Sequence, residues 1–316
     1  MDLYFAATTT EYAMRLLIKR HKCILLSFLN DKNAVDRFLK LKSELNSDSK
    51  IIIDSGAYTA HTKDLTLDPD AYIKYINEYS SKLDYFINLD VIPGVRHQKV
   101  TEYQIEEGAK QSWENYVYIC DRVIDRDKIL PVFHIGEDFK YLTNMLEHRW
   151  DDGQPIKYLC IAPGSNSSTK EKNAWLDRCF TLIKESSNPN INVHVLGMTI
   201  PKLCAYHTFY SADSTSGKKT AAFGSILIPD FNKLKFNTIH ITPESEKKTS
   251  DHISKLSDKV QDEIKEKAQS YGFTWEELTS EFGKRHMLNL LVTIDMFEHI
   301  EKIRKTDKQL KPVSLF

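Results

Sequence analysis

The sequence predicts an α/β fold, a (β/α)8 barrel with a helical C-terminal extension, and two observations carry this prediction. Short apolar runs recur eight times along the chain, and amphipathic stretches separate them. Such alternation is typical of repeated βα units that share one parallel sheet. The runs cover about residues 3–6, 23–29, 51–54, 85–90, 129–134, 158–162, 193–197 and 209–213.

The helix with the clearest start signal begins at Asp68-Pro69. An acidic N-cap precedes a proline at the first helical position, and apolar or aromatic residues then recur at helical spacing. A capping-box spacing at Thr274–Glu277 predicts another helix start near the C-terminus. These signals predict helices over 68–82 and after Thr274.

The pattern changes after the last strand-like run. Residues 221–241 are typical of short strands and turns, and from about Ser245 onward the chain is charged and helical. We therefore predict a barrel domain over residues 1–243 and a helical region over 244–316 that packs on it. The lysine-rich stretch 247–267 alternates in sign, which is typical of a solvated helix face.

Composition sets the broad class of protein. A chain of 316 residues with 41% hydrophobic and 28% charged residues is long enough for a full core. The net charge of −1 gives no global basic field, so a nucleic-acid partner would need a local patch. Five dispersed cysteines, no signal-peptide pattern and no long apolar stretch predict a cytoplasmic protein without a membrane segment.

Several common catalytic motifs are missing from the sequence. It contains no H-E-x-x-H, no paired cysteines, no G-x-G-x-x-G after a strand and no G-x-S-x-G elbow. Ser216–Thr220 resembles the end of a phosphate-binding loop, but no glycine stands at the required earlier position. We therefore expect no metal, no redox cofactor and no nucleotide hydrolysis.

Three aspartates, Asp54, Asp90 and Asp213, each close an apolar run. The C-terminal ends of barrel strands meet at one face, where a partly desolvated carboxylate has a tunable pKa. An enzyme with these residues in its active site is the leading interpretation. The alternative for each single aspartate is an N-cap of the following helix.

Small and polar residues follow the same strand-like runs, namely Ser55, Gly56, His134, Gly164 and Met198. Glycines let a backbone approach a flat ligand, and carboxylates accept its N–H groups, so a planar, donor-rich ligand such as a purine would fit. His134 could instead be a core histidine bonded to backbone, and Met198 could simply fill the core.

At these residues the chain resembles the queuine/archaeosine tRNA-guanine transglycosylase superfamily, and more closely the phage and bacterial DNA-guanine transglycosylases that insert 7-deazaguanines. The resemblance spans about residues 50–240. Asp54-Ser55-Gly56-Ala57-Tyr58 is similar to the family's D-S-G-G-F segment, and Ser211–Gly224 is similar to its nucleophile segment and following basic stretch. Val132–Gly136 stands where relatives carry a V-Q-G-G-like stretch, and Leu196-Gly197-Met198 adds support.

The chain also departs from the tRNA enzymes of this superfamily. Their C-x-C-x-x-C…H zinc site cannot form here, because Cys204 is the last cysteine. This departure favours DNA over tRNA as the substrate. Ala57 and His134 replace family residues in the base pocket, so the incoming base is left open.

The resemblance implies a role for each candidate. Asp213 would be the nucleophile and Asp54 the general acid and base, while Asp90 would read the guanine edge. The loop Gly164-Ser165-Asn166 and Met198 would frame the base. The flanking phosphates would be held by Lys218 and Lys219, together with Lys233 and Lys235. The equally weighted alternative is that these four residues are ordinary surface lysines without a binding role.

The sequence thus predicts a pentosyltransferase that exchanges guanine in DNA for a 7-deazaguanine such as a preQ0-type base, in the host cytoplasm if the gene belongs to a phage. Two alternatives are a tRNA-guanine transglycosylase with the same chemistry and a non-catalytic nucleic-acid-binding subunit. Whether the chain forms a homo-oligomer is left open.

Overall fold

The computed structural model describes residues 1–94, 100–164, 167–246 and 249–306. These residues divide into two compact units. The first comprises residues 1–198 and 209–213, and the second comprises 199–208 and the part of the chain from 214 onward. The boundary predicted at 243/244 lies inside the second unit.

The strands of the first unit form one parallel sheet, and seven helices of the same unit alternate with them along the chain. The strands are β1 (Asp2–Ala6), β2 (Cys23–Ser27), β3 (Ile51–Asp54), β4 (Tyr85–Ile87), β5 (Ile129–Leu130), β6 (Val132–His134), β7 (Tyr158–Ala162), β8 (Asn192–Val195) and β9 (Ser211–Ser214). The helices are α1 (Glu11–Lys19), α2 (Lys32–Glu44), α3 (Ala57–Thr62), α4 (Pro69–Tyr79), α5 (Glu102–Cys120), α6 (Phe139–Glu147) and α7 (Thr169–Glu185).

The sheet closes into a barrel at Pro131. Strand order runs β5-β4-β3-β2-β1-β9-β8-β7-β6, and only Pro131 separates β5 from β6 in the chain. The carbonyl of Leu130 accepts from the Asn88 amide at 2.9 Å, and that of Pro131 accepts from the Cys160 amide at 2.8 Å. Residues 129–134 therefore act as one strand interrupted by a residue that has no N–H to donate. The eight predicted runs and the predicted (β/α)8 barrel are confirmed.

Alternate residues of the strands fill the barrel interior, because side chains on a strand point to opposite faces. The cluster consists of Tyr4, Ala6, Cys23, Leu25, Ile52, Ile87, Leu130, Val132, Tyr158 and Cys160, all buried. Burial stabilises the fold by about 1.5–3 kcal/mol for each large apolar side chain. This packed layer leaves the strand ends at the C-terminal rim as the place where polar groups can gather.

Helix α4 begins at the predicted start signal. The Asp68 side chain accepts a hydrogen bond from the Asp70 amide at 3.0 Å, and Pro69 occupies the first helical position. The N-cap thus satisfies one of the free amides of the first turn. Within the described residues, no helix combines the length and the apolar composition that are needed to cross a bilayer.

The second unit combines an antiparallel hairpin with helices. Its elements are α8 (Pro201–Tyr206), α9 (Ser216–Ala222), β10 (Ser225–Asp230), β11 (Lys235–His240), α10 (Asp258–Ser270), α11 (Trp275–Ser280) and α12 (Phe282–Thr306). The capping box predicted at Thr274 and Glu277 is present, and α11 follows it. The helical C-terminal extension is therefore confirmed.

Asn289 joins three elements of the second unit. Its side chain is fully buried, and its Oδ1 accepts from the Leu227 amide of β10 at 2.8 Å. Its Nδ2 donates to the carbonyls of Gly217 at 3.1 Å and Ser225 at 3.3 Å. One amide side chain on α12 thus satisfies backbone groups of α9 and β10 that would otherwise be buried without partners.

Candidate active site

The three candidate aspartates lie at the C-terminal rim of the barrel. Asp54 is the last residue of β3, Asp213 is the third residue of β9, and Asp90 follows β4. All three therefore stand at the carboxyl ends of strands of one parallel sheet, and the charges of Asp90 and Asp213 contribute to the raised pKa of Asp54. None of them caps a helix, because the N-caps of α3, α5 and α9 are Gly56, Thr101 and Thr215.

The carboxyl group of Asp54 has a pKa well above the ordinary value of an aspartate. Burial raises its pKa, and the neighbouring charges of Asp90 and Asp213 raise it further, to about 7. A hydrogen bond from the backbone of Gly56 opposes this shift. A carboxyl group with this pKa can donate and accept a proton near neutral pH.

Asp213 is buried, and its two oxygens differ in their surroundings. Oδ1 accepts a hydrogen bond from the Gly197 amide at 2.8 Å and lies 3.2 Å from Nε2 of His194. Oδ2 forms no hydrogen bond with the described part of the chain. A carboxylate with one anchored oxygen and one free oxygen is oriented for a reaction at the free atom.

The ring of His134 is held between two carboxylates. Its Nε2 lies 2.9 Å from Oδ2 of Asp90, and its Nδ1 lies 3.0 Å from Oε1 of Glu137. Burial lowers the pKa of His134, but the hydrogen bonds to Asp90 and Glu137 outweigh it and raise the pKa to about 10. His134 is therefore an imidazolium cation at neutral pH, and both ring nitrogens are already engaged by side chains.

Gly56 and Ser55 shape the backbone beside Asp54. Gly56 has φ +87°, and a Cβ there would lie 2.7 Å from Cβ of Leu29. The buried hydroxyl of Ser55 donates to the carbonyl of Asn88 at 3.0 Å, which joins the ends of β3 and β4. Only glycine fits at position 56, and Ser55 acts on the backbone that carries Asp54 and Asp90.

The other predicted pocket residues occupy the same barrel. Gly164 follows β7 with φ +67°, and Met198 follows β8 with a buried side chain. Ser165 and Asn166, predicted to frame a base, lie outside the described residues. The two glycines after β6 and β8, Gly136 and Gly197, have φ values of +100° and +63°.

The predicted phosphate-binding lysines belong to the second unit. Lys218 and Lys219 are on α9, where Lys219 is exposed, and Lys233 and Lys235 are exposed in and after the hairpin turn. Phosphate binding by these lysines stays a prediction of the sequence.

Sequence reasoning missed Glu137, His194, Ser211 and Tyr158. Ser211 Oγ contacts both Nδ1 of His194 and the hydroxyl of Tyr158, inside the barrel. For His194, Ser211 and Tyr158 a usable signal was present, because polar residues inside apolar strand-like runs must find partners when buried. Among the residues that the structure describes, no cluster of three or more His, Cys, Asp or Glu side chains has the arrangement of a metal site.

No protein-family model and no curated protein matches the chain. Similar solved structures include dihydrodipicolinate synthase from Agrobacterium tumefaciens, with 8% identity over 68% of this chain and 70% of that chain and a TM-score of 0.41. 3-Hexulose-6-phosphate synthase from Salmonella typhimurium is 12% identical over 68% of this chain and 88% of that chain, with a TM-score of 0.35. Similarities this low carry no argument about activity.

Proposed function

We propose that this chain is a glycosyltransferase that exchanges guanine in DNA for a 7-deazaguanine base through a covalent bond between Asp213 and the sugar. The observation that supports the proposal most is the set of three carboxyl groups on one barrel rim. One of them, Asp54, has a pKa of about 7, and another, Asp213, has one oxygen that accepts from the Gly197 amide and contacts the His194 ring. This is the division of roles that a two-step displacement at a sugar carbon needs.

In the first step, a carboxylate oxygen of Asp213 attacks C1′ of the target nucleotide. The new O–C1′ bond replaces the C1′–N9 bond, whose electron pair leaves with guanine. Asp54, protonated near neutral pH, gives its proton to the departing base. The negative charge of the surrounding carboxylates stabilises the positive charge that develops on the sugar.

In the second step, the incoming 7-deazaguanine takes the place of guanine. Asp54, now ionised, accepts the proton from N9 of the incoming base, whose electron pair forms the new bond to C1′. The electron pair of the O–C1′ bond returns to Asp213. Both aspartates thus end the cycle in their starting protonation states.

Asp90 is suited to recognise the base edge. His134 holds Oδ2 of Asp90 in place at 2.9 Å, and an ionised carboxylate accepts hydrogen bonds from the ring N–H and the amino group of guanine. Adenine does not present these two donors side by side. We therefore assign base selection to Asp90, with the orientation of its carboxylate set by His134.

The chemistry requires a nucleotide that has left its base stack, because a paired guanine cannot present C1′ to a barrel rim. Lys219, Lys233 and Lys235 of the second unit are exposed, and such side chains are suited to contact phosphates of the DNA backbone. DNA is favoured over tRNA because the cysteine ligands of the zinc site in the tRNA enzymes are missing from this sequence.

The test is exchange of radiolabelled guanine into DNA and, separately, into tRNA by the purified chain, followed by trapping of a covalent adduct in denaturing gels. We expect label in DNA and an adduct that Asp213→Asn abolishes. Asp230→Asn, at the end of β10, is the matched control and should form the adduct normally. Label in tRNA alone would instead support the tRNA enzyme, and binding without exchange would support a non-catalytic subunit.

A further inference from the structure

A line of four polar side chains runs through the barrel interior toward the rim. Tyr158 contacts Ser211, Ser211 contacts Nδ1 of His194, and Nε2 of His194 lies 3.2 Å from Oδ1 of Asp213. All four side chains are buried, and His194 and Ser211 have no exposed surface. The rings of Tyr4 and Tyr158 pack edge-on against the imidazole of His194.

The donors and acceptors of this line can be ordered in only one way if Asp213 is ionised and the ring of His194 is neutral. A carboxylate can only accept, so Nε2 of His194 carries the proton that it donates to Oδ1. Nδ1 of the neutral ring then accepts from the Ser211 hydroxyl, whose oxygen accepts from Tyr158. Burial raises the pKa of Tyr158, which keeps its hydroxyl proton available for this bond.

We propose that Tyr158, Ser211 and His194 are positioning residues that fix Oδ1 of Asp213 and leave Oδ2 as the attacking oxygen. The Gly197 amide is the second donor to Oδ1, at 2.8 Å, so both anchors act on one oxygen. No proton moves along the line during the reaction. This inference deepens the proposed function and rests on it for the identity of the attacked atom.

The location of the line argues against a purely structural role. Elsewhere the barrel interior is filled by apolar side chains such as Leu25, Ile52 and Leu130, which stabilise it without any need for partners. A buried polar network is costly unless every member is satisfied. The network here ends at the one carboxylate that the proposed chemistry uses as nucleophile, which is the position where orientation affects rate.

The first test is the tautomer of His194, read from ¹⁵N NMR of protein labelled at histidine, with His194→Gln used to assign the signal. We expect Nε2 to carry a proton and Nδ1 to have none in the folded protein at neutral pH. A proton on Nδ1, either alone or on both nitrogens, would reverse the Ser211 bond and refute the proposal. This measurement needs no substrate.

The second test separates rate from binding. His194→Gln keeps an N–H donor near the position of Nε2, whereas His194→Leu removes it. Loss of a hydrogen bond to a charged group corresponds to about 10- to 100-fold in rate, so we expect His194→Leu to slow adduct formation by about 100-fold and Ser211→Ala by about 10-fold. DNA affinity should stay unchanged, and His194→Gln should recover most of the rate.

The control is His252→Leu in the second unit. His252 is also buried with both ring nitrogens engaged, at 2.8 Å to Ser254 Oγ and 3.2 Å to the Thr242 carbonyl. It should lower thermal stability without slowing adduct formation. If His194→Leu does not fold, Ser211→Ala and the tautomer still decide the outcome.

Two results would contradict the positioning role: an unchanged adduct rate in Ser211→Ala, or a loss of rate that merely follows a loss of DNA affinity. If the wild-type protein forms no adduct with either nucleic acid, the proposed function fails. The tautomer measurement then decides by itself whether the line holds Oδ1 of Asp213.

Discussion

Nε2 of His134 lies 2.9 Å from Oδ2 of Asp90, while Nδ1 of the same ring lies 3.0 Å from Oε1 of Glu137. A single imidazolium thus bridges two largely buried carboxylates, one of them on a residue that sequence analysis had not selected. The pair of contacts explains how a histidine inside a barrel rim can remain charged despite burial. It also makes the stability of the protein sensitive to pH in the alkaline range, where the imidazolium of His134 loses its proton.

The pKa of His134 is raised from its ordinary value to about 10 in the folded protein. Its contribution to stability is fully present below about pH 6.5, and it is lost as pH rises through about 10. We expect His134→Gln to cost about 2–4 kcal/mol at about pH 6 and much less at about pH 10.5. Urea unfolding at both pH values measures this difference.

The control for this prediction is His21→Gln, which breaks a histidine–aspartate contact of 2.7 Å on the surface. Exposed ion pairs contribute at most about 1 kcal/mol, so this variant should change stability little at either pH. An equal loss of stability in the two variants would show that the contacts of the partly buried His134 contribute no more than an exposed ion pair.

The charged form of Asp54 destabilises the folded protein, whereas the charged form of His134 stabilises it. Its folded pKa of about 7 lies above the value of an unfolded chain, so the folded protein binds more protons between about pH 4 and 7 and loses stability as pH rises through that window. We expect Asp54→Asn to stabilise the protein by about 2–4 kcal/mol at about pH 8 and to have little effect at about pH 4. Thermal unfolding across this range, with Asp230→Asn as control, provides the measurement. A parallel pH dependence in wild type and Asp54→Asn would contradict the raised pKa.

Gly56 should tolerate no side chain. Alanine there combines a left-handed backbone with a Cβ placed 2.7 Å from Cβ of Leu29. We expect Gly56→Ala to cost about 3 kcal/mol or more in the free energy of unfolding, since overpacking adds to the backbone term. Gly153→Ala is the matched control, because Gly153 has a similar φ of +77° but open space around it. Its cost should be only about 1–2 kcal/mol, and equal costs would mean that the contact with Leu29 relaxes freely.

Asn289 should be essential to the second unit. Replacement by leucine leaves the Leu227 amide and the Ser225 carbonyl buried without their partner, which costs about 1–3 kcal/mol for each group. We expect Asn289→Leu to lower the free energy of unfolding by about 3–5 kcal/mol, measured by denaturant titration. Asn77→Leu, which removes bonds to Arg122 and Ile124 at an exposed site, should cost clearly less. Similar losses would indicate that the bonds of Asn289 are replaced by water.

Much of the fold could be predicted because strand signals are local. All eight strand-like runs correspond to strands or strand pairs, and the start signals at Asp68 and Thr274 mark real helix starts. Pro131 divides the fifth run into two short strands, which follows from its missing N–H. The part of the chain after Asp213 was harder to divide, since the hairpin β10–β11 packs with helices of its own unit rather than extending the barrel sheet.

The sequence by itself determined which residues end the barrel strands, because apolar periodicity and its interruption are properties of a few neighbouring residues. It therefore selected Asp54, Asp90 and Asp213 and their adjacent glycines. Only the tertiary structure decided which groups these carboxylates meet. Asp90 meets His134, which is the last residue of β6, and His134 in turn meets Glu137 in the loop that follows. Asp213 on β9 meets His194 on the neighbouring strand β8, and Ser211 joins His194 to Tyr158 on β7. Charge and hydrogen-bond energies depend on distances that form when the barrel closes, so the pKa values of Asp54 and His134 were not encoded in any local pattern.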